Sequence, residues 1–413
     1  MKKSIILSIV LFAFAICIAQ DSEGHLLKDR NTGCSIWFKH TFSEDSATWS
    51  GGCKNSFADG SGKMIGFTNG RQSSIYTGQM KNGKLHGKGK FCFDNNRKLE
   101  GNFSNGEPLF LNKKCLKHLQ KNTITEIDSS EIYVGDYKLK QLYYHAIVPE
   151  GKSVGAIVLL PGTWETTEHL ISSTRRLCEL AYKNKLIVLA LSINQRLTLT
   201  DQIVLIMNSM IGDAIHRYHI PPEKFIFGGW SMGGLFSLRY TELACEGSNK
   251  TIVKPIGVFS CDGPSDLENI YNMFQMKLKK HPDNSEAQYG IEELQKYCGG
   301  TPANASEKYK YYSCYSHSSE DGGNAKYLFQ TPVRIYNDLD ANWWMQNRGL
   351  DMYYMNGLDQ TAMIQFLNDN GNKKAEFINA FQRGYRIDGN RHPHAWSIIE
   401  PLDCMKWILE IVK

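Results

Sequence analysis

The feature that most constrains this 413-residue chain is a serine between glycines, at the point where a strand-like run meets a helix-like run. Residues 229–233 read Gly-Trp-Ser-Met-Gly, after the apolar run 224–227 and before the helical stretch 235–244. A Gly-x-Ser-x-Gly sequence in this setting predicts a sharp strand-to-helix turn that exposes the Ser231 hydroxyl. The helix N-terminus behind the serine would help to hold an anion. A purely structural turn is the alternative interpretation.

The tightness of that turn explains both glycines of the motif. Gly229 and Gly233 flank the serine, and only glycine fits beside a backbone in such strained geometry. After residue 115, apolar runs alternate with helical stretches, which predicts an α/β fold with a mostly parallel, doubly wound sheet. The predicted strands are 141–148, 155–160, 186–191, 224–227, 256–260, 333–336 and 376–381, and the predicted helices include 166–183, 201–218 and 397–412.

A nucleophilic serine needs a histidine as its base and a carboxylate that orients the histidine, in the chain order serine, acid, histidine. Two histidines, His392 and His394, follow the last predicted strand, and carboxylates follow each of the two strands before it. The same two histidines would also suit a zinc pair, although the usual zinc-binding spacings are absent. We therefore expect no metal and no cofactor.

Residues 116–413 resemble the α/β-hydrolase family over nearly their full length, through the serine turn, the strand order and the positions of acids and histidines. Three shorter signatures are similar to a group of secreted bacterial esterase-like hydrolases; they read LPGTW at 160–164, DLD at 338–340 with a following Trp-Trp pair, and RHPHAW at 391–396. The resemblance implies a serine hydrolase that cleaves carboxylic esters on small molecules or polysaccharides. A serine peptidase, an acyltransferase or a non-catalytic scaffold are the alternatives.

The resemblance also implies which residues carry out the chemistry. Ser231 would attack the carbonyl carbon, and His394 would take its proton. His394 is preferred over His392 because Pro393 stiffens the approach and because His-x-Trp is common at this place in related esterases.

The orienting acid is a choice among several carboxylates. Asp340, after the seventh strand of the family fold, is the first choice, and Asp338 is its close competitor. Asp262 or Asp266, after the sixth strand, is a third option because some family members use that position.

The family also implies an oxyanion hole and a cap. The backbone N–H of Met232 would be one donor, and Thr163 or Trp164, after the third strand, would supply the other. Residues 268–330 lie where such hydrolases carry a cap over the site.

A glycine-rich region, residues 34–110, repeats one frame three times. Each copy has an aromatic or apolar residue, a glycine two positions later and then a turn. Asn82-Gly83 and Asn105-Gly106 predict two-residue turns between short strands. The frame resembles the MORN repeat, which residues 76–89 match nearly fully; the first copy has Ser56 where the family has glycine, and the third is truncated. The repeats would be an accessory module that binds a surface, a lipid or a protein.

The second copy of the repeat contains a cluster of lysines that could contact a partner of the repeats. Lys81, Lys84, Lys88 and Lys90 would suit anionic lipid or polysaccharide, but a solvated lysine face that keeps a sheet edge soluble is the more common arrangement. The chain as a whole has 47 basic and 42 acidic residues with no concentrated basic face, which argues against a nucleic-acid partner.

Residues 1–19 have the layout of a cleaved signal peptide, with two lysines, an uncharged run and a small residue before the expected cut near Ala19-Gln20. An uncleaved anchor is the alternative. We therefore expect a secreted or periplasmic protein, in which Cys34–Cys53 and Cys298–Cys314 are the disulfides that sequence distance favours. The predicted organisation is a leader at 1–19, a β domain at 20–115 and a hydrolase domain at 116–413.

Overall fold

The computed structural model of the protein describes residues 24–39, 44–93, 98–125, 142–193 and 196–413. The predicted leader and its cleavage point lie outside these ranges. Within them, no helix combines the length and the apolar character that crossing a bilayer requires. The limits of the three predicted segments stay predictions.

The N-terminal part forms one sheet of short, mostly antiparallel strands. Over the described residues the strand order is β1-β2-β5-β6-β7-β8-β9, with β3 and β4 pairing with β5. The strands are β1 (Gly24–Lys28), β2 (Ser35–Lys39), β3 (Ser46–Trp49), β4 (Gly52–Lys54), β5 (Phe57–Thr68), β6 (Arg71–Lys81), β7 (Lys84–Phe93), β8 (Lys98–Ser104) and β9 (Glu107–Leu109).

Turn chemistry explains the hairpins of this sheet. Asn82-Gly83 joins β6 to β7 and Asn105-Gly106 joins β8 to β9, and all four residues have positive φ, as predicted. The first copy reaches the same geometry without glycine, because Asn55 and Ser56 have φ of 50° and 65° between β4 and β5. The β-hairpin prediction is confirmed, whereas the identity of the repeats as MORN units stays a prediction.

The repeat glycines make room for an aromatic core. Tyr76 is fully buried, and a Cβ on Gly89 would overlap its ring. A disulfide joins Cys34 to Cys53, with 5.9 Å between their Cα atoms, as predicted. The second predicted disulfide is wrong: Cys298 and Cys314 are both buried free thiols, and Cys314 Sγ donates to the Leu235 carbonyl oxygen at 3.3 Å.

The second part is built on an eight-stranded sheet in the order β10-β11-β13-β12-β14-β15-β16-β17, counted over the described residues. From β13 across to β17 all pairings are parallel, while β10 and β11 pair antiparallel. The predicted mostly parallel sheet of an α/β fold is confirmed. The strands are β10 (Leu119–Ile124), β11 (Leu142–Ile147), β12 (Gly155–Leu160), β13 (Leu186–Leu191), β14 (Phe225–Trp230), β15 (Gly257–Cys261), β16 (Val333–Asn337) and β17 (Ala375–Asn379).

Helices cover both faces of that sheet. They are α1 (Lys113–Lys117), α2 (Thr167–Ser173), α3 (Arg175–Lys183), α4 (Asp201–Tyr218), α5 (Met232–Glu246), α6 (Leu267–Lys280), α7 (Ser285–Cys298), α8 (Pro302–Tyr312), α9 (Ala341–Arg348), α10 (Gly357–Asp369) and α11 (Pro401–Val412). Along β12, Val158 faces the core under α4, α5 and α10, and Ile157 faces the core under α2, α3 and α11. Burial on both faces explains why its residues are continuously apolar.

Several elements differ from the prediction, and three of them have a clear physical reason. β10 was not predicted, because as an edge strand paired only with β11 it has no apolar run. The predicted helix 166–183 is two helices, α2 and α3, which meet at Thr174 with φ of −103° and ψ of 15°. The last helix begins at Pro401 rather than at residue 397, since proline favours the first turn of a helix.

The two sheets are joined through the edge of the first. The Phe110 N–H donates to Ser172 Oγ at 2.9 Å, and Ser172 Oγ donates to the Pro108 carbonyl oxygen at 2.6 Å, which ties β9 to α2. Ile387, from the loop between β17 and α11, packs against the core of the first sheet. A cavity of about 610 Å³ lies between the two parts.

Candidate active site

Ser231 lies at the point where β14 ends and α5 begins. Its backbone has φ of 54° and ψ of −127°, a strained conformation for any residue other than glycine. A Cβ on Gly229 would overlap the Gly233 carbonyl, and one on Gly233 would overlap the carbonyl oxygen of Leu160. The two glycines are therefore required by the close approach of α5 to β14 and β12.

Strained backbone is found at three neighbouring strand ends. Trp164, just after β12, has φ of 60°, Ser231 follows β14, and Asp262, directly after β15, has φ of 50°. The Ser231 N–H also donates to the Cys261 carbonyl oxygen at 3.0 Å, which fixes the serine against the end of β15. Such strain tends to cluster at functional sites, because the surrounding structure must impose it.

His394 contacts one carboxylate, that of Asp262. The distance from His394 Nδ1 to Asp262 Oδ2 is 2.6 Å. The other carboxylate oxygen, Oδ1, accepts from Asn337 Nδ2 at 2.6 Å, from Asn356 Nδ2 at 3.2 Å and from Gln360 Nε2 at 3.4 Å. Three amides thus hold Asp262 in the position from which it orients the histidine.

The first choice of acid, Asp340, does not contact His394; the carboxylate at the histidine is that of the third option, Asp262. Asp340 caps α9 by accepting from the Trp343 N–H at 3.0 Å, and it accepts from Arg391 at 2.8 Å. The competitor Asp338 is also engaged elsewhere: it accepts the N–H groups of Gln382 and Gly384, at 2.9 Å each, and lies 2.8 Å from Arg391.

These two carboxylates nevertheless bear on the site. Arg391, which both contact, also donates to the Gly384 carbonyl oxygen at 2.9 Å. Asp338 and Asp340 therefore anchor the loop that carries His394 instead of orienting its ring. The remaining option, Asp266, caps α6 through the Glu268 N–H at 2.9 Å, and burial raises its pKa to about 6.

The alternative base, His392, packs between the histidine loop and two tryptophans of α9. Its Nδ1 accepts from the His394 N–H at 3.2 Å, and its ring lies 4.7 Å from that of Trp343 and 5.6 Å from that of Trp344. Burial, with the nearby Arg386 charge, lowers the pKa of His392 to about 2, so the ring is neutral. Within the described ranges, no group of three or more histidines, cysteines or carboxylates is placed to hold a metal ion.

The predicted oxyanion residues border the same cavity as the serine. Met232, Thr163 and Trp164 all line it. Met232 is the first residue of α5, so its N–H has no acceptor within the helix. Thr163 and Trp164 lie in a turn closed by the Glu165 N–H, which donates to the Gly162 carbonyl oxygen at 3.0 Å.

Glu165, which sequence analysis missed, holds that turn from within. Its buried carboxylate accepts from the Gly162 N–H at 3.0 Å and from Trp396 Nε1 at 3.0 Å, and it lies 2.7 Å from His169 Nδ1. Trp396 follows His394 by two positions, so Glu165 connects the turn after β12 to the loop that carries His394.

The cavity at Ser231 has a volume of about 250 Å³. Ser231, Asp262 and His394 line it together with apolar side chains from α6, namely Ile270, Met273 and Phe274. Helix α7 adds Tyr289, whose ring lies 5.1 Å from that of Trp164. The segment between β15 and β16 thus supplies much of the wall over the serine.

Similarity to known proteins is found at the level of structure only, since no protein-family model and no curated protein matches the sequence. The serine hydrolase FphF of Staphylococcus aureus, described as fluorophosphonate-binding, aligns with 71% of this chain and 98% of its own, at 12% identity and a TM-score of 0.43. An S-formylglutathione hydrolase from Agrobacterium tumefaciens aligns over 71% and 95% at 11% identity and a TM-score of 0.43. A thermostable esterase aligns over 80% and 73% at 10% identity and a TM-score of 0.44. At these values the interpretation of the site depends on its own geometry.

Proposed function

We propose that the protein is an exported serine hydrolase that cleaves carboxylic esters through an acyl-enzyme on Ser231. The observation that carries the proposal is the 2.6 Å contact between His394 Nδ1 and Asp262, in a cavity that Ser231 also lines. A histidine whose Nδ1 is held by a carboxylate has its tautomer set and its second ring nitrogen available for proton transfer.

In the proposed reaction His394 takes the Ser231 hydroxyl proton as the serine oxygen attacks the ester carbonyl. Asp262 stabilises the imidazolium, and the Met232 N–H with the Thr163–Trp164 turn stabilises the oxyanion. His394 then returns the proton to the departing alcohol oxygen, which leaves an acyl-enzyme. Water, deprotonated by the same histidine, releases the acid and restores the serine.

The size and lining of the cavity restrict the substrate. About 250 Å³ is below the range of roughly 300–1,000 Å³ that is usual for drug-sized ligands. Its wall of Ile270, Met273 and Phe274 is apolar. We therefore propose that the group next to the scissile bond is short and partly apolar.

The proposal also includes export of the protein and a binding role for the repeats. The disulfide between Cys34 and Cys53 supports an oxidising compartment, in keeping with the predicted leader at residues 1–19. The hairpins of the first sheet would be MORN-type repeats that act as an accessory binding module. Lys84 and Lys90 are already engaged within this sheet, by the Trp37 ring at 4.7 Å and by Glu100 at 3.7 Å, which favours a structural role for part of the basic cluster.

The test is covalent labelling of the mature protein with a fluorophosphonate, alongside hydrolysis of para-nitrophenyl acetate and butyrate. We expect labelling and turnover in the wild type, and loss of both in Ser231→Ala. His394→Ala should lower kcat by about 10³-fold or more, since it removes the base. His392→Ala is the matched control two positions away and should keep most of the activity. Labelling that persists in Ser231→Ala would contradict the assignment of the nucleophile.

A further inference from the structure

Arg386 lies at the wall of the candidate active site, where its guanidinium packs on the Trp230 ring. Within the described part of the chain its guanidinium makes no hydrogen bond and no ion pair, although the side chain is half-buried. The more deeply buried arginines are all paired: Arg196 with Glu293, Arg239 with Glu242, and Arg334 with Glu376. An unpaired, partly desolvated cation is costly, and it is retained where a ligand supplies the missing charge.

The position of Arg386 places it next to the reacting groups. Its Cζ atom lies 4.8 Å from the centroid of the Trp230 ring, and the ring of His394 lies 4.9 Å from the same indole. Trp230 directly precedes Ser231 in the chain. Arg386 and Trp230 both line the cavity at Ser231, and both also line the larger cavity between the two sheets.

The backbone around Arg386 is held rigidly. Its N–H donates to the Asn390 carbonyl oxygen at 2.9 Å, and its carbonyl oxygen accepts from the Gly389 N–H at 2.8 Å. The next residue, Ile387, packs against the core of the first sheet. The guanidinium is therefore presented on a closed turn that is anchored from both sides.

The nearby carboxylates are engaged elsewhere. Asp262 is held by His394 and by three amides, and Glu165 is held by Gly162, His169 and Trp396. The other cation that lines the cavity, Lys277, lies 3.4 Å from Glu286. Asp388, two positions after Arg386, accepts from the Asn390 backbone and side-chain amides at 2.8 and 3.1 Å. Glu165 and Asp388 act on the Arg386 charge from nearby, but neither forms an ion pair with it in the part of the chain that the structure describes.

A second donor lies beside the arginine. Trp230 is 8% exposed, and its Nε1 is buried without a hydrogen-bond partner among the described residues. The larger cavity, which Trp230 also lines, has Lys98, Arg175 and Arg176 in its wall, with Glu100 as the one acidic residue among the described lining residues. Glu100 lies 3.7 Å from Lys90, so it is paired within the first sheet.

We propose that Arg386 is a specificity residue that binds a carboxylate carried by the ester substrate, within reach of Ser231. The planar guanidinium matches a carboxylate through two parallel N–H···O bonds. One unpaired cation balances a single negative charge, which favours a carboxylate over a doubly charged phosphate. This inference rests on the proposed hydrolase function and narrows its substrate class to esters with an acidic group.

The test compares matched esters that differ in one charge. On the acyl side the pair is mono(para-nitrophenyl) adipate and para-nitrophenyl hexanoate. On the alcohol side it is para-acetoxybenzoate and its methyl ester. We expect the wild type to favour the charged member of at least one pair, measured as the ratio of the kcat/KM values.

Variants of Arg386 test whether this residue causes the preference for the charged ester. Arg386→Gln should lower the ratio by about tenfold to a hundredfold, because it removes the charge and the paired donors. Arg386→Lys should keep part of it, as a point charge. Arg348→Gln is the matched control: Arg348 lies over the Trp343 ring at 5.9 Å, is exposed and does not line the cavity, so its loss should leave the ratio unchanged.

The outcomes separate the two proposals. If the wild type hydrolyses the neutral esters but favours neither charged one, or if Arg386→Gln keeps the wild-type ratio, the role of Arg386 is overturned while the hydrolase function stands. If the wild type neither reacts with a fluorophosphonate nor hydrolyses any of the four esters, the proposed function itself fails.

Discussion

The ends of β15 and β16 are neighbours in the sheet, and carboxylates follow both. The carboxylates at the two ends make different contacts. Asp262, after β15, contacts the ring of His394 at 2.6 Å. Asp338 and Asp340, after β16, contact Arg391 and the backbone of the histidine loop. The comparison teaches that one strand end contacts the His394 ring directly and the other holds the loop that carries this histidine.

The asymmetry has a local cause at the end of β16. Asn337 occupies the last position of that strand, and its amide donates to Asp262 at 2.6 Å and to Gln360 Oε1 at 2.7 Å. The end of β16 therefore supports the acid of the neighbouring strand. A carboxylate at residue 337 would instead place a second negative charge against Asp262.

The largest expected effect is on kcat, and it follows from changing the carboxylate after β15. Asp262→Asn should lower kcat for para-nitrophenyl esters by about 10³–10⁴-fold, because the amide no longer stabilises the imidazolium or sets its tautomer. Asp340→Asn, the matched change at β16, should cost less than about tenfold, since it leaves the His394 contact intact. Steady-state kinetics of the two variants decides whether Asp262 or Asp340 is the acid. A larger loss of kcat in Asp340→Asn than in Asp262→Asn would favour Asp340.

A smaller effect tests the positioning role of β16. Arg391→Gln removes the cation between Asp338 and Asp340 and leaves Asp338, which is 1% exposed, without its ionic partner. We expect the free energy of unfolding to fall by about 2–3 kcal/mol, as for other broken buried pairs. Urea denaturation followed by tryptophan fluorescence measures it, and Arg348→Gln on the exposed surface serves as the control. An unchanged midpoint would show that the loop does not depend on this pair.

The smallest effect concerns pH and the second carboxylate after β15. Burial raises the pKa of Asp266 to about 6, above its ordinary 3.8, so the folded state binds its proton more tightly than the unfolded state does. The free energy of unfolding should therefore fall, on the order of 1 kcal/mol, as the pH rises from about 4 through 6. Asp266→Asn keeps an oxygen to cap α6 and should flatten this dependence. Urea titrations at several pH values compare the two, and an equal slope in both would exclude Asp266 as its source.

Much of the fold was predictable because its signals are local. Buried runs such as 155–160 match β12, and the Asn-Gly pairs form the hairpin turns with positive φ. Elements without a local signal were missed or misplaced: β10 is an edge strand with mostly exposed residues, and the break at Thr174 divides one predicted helix into two.

Some residues of the candidate site also have a local sequence signal, and others have none. The serine and its glycines were predictable, because a strained turn between strand and helix accepts few residues. The contacts around Asp262 were not, since Asn337 ends β16 whereas Asn356 and Gln360 lie at the start of α10, and these residues follow no periodic pattern. Glu165 and Arg386 were missed for the same reason.

By itself the sequence determined the α/β organisation, the hairpin repeats, the serine turn and the two candidate histidines, since each depends on residues close together in the chain. Only the tertiary structure decided that Asp262 meets His394, that Asp338 and Asp340 hold Arg391, and that Arg386 forms no ion pair with the residues that the structure describes. These are contacts across strand ends, in which several carboxylates lie near several cations and imidazoles. Which carboxylate meets which cation or imidazole depends on where the backbone places each residue. Those positions result from the packing of distant segments, so no single stretch of the sequence reveals them.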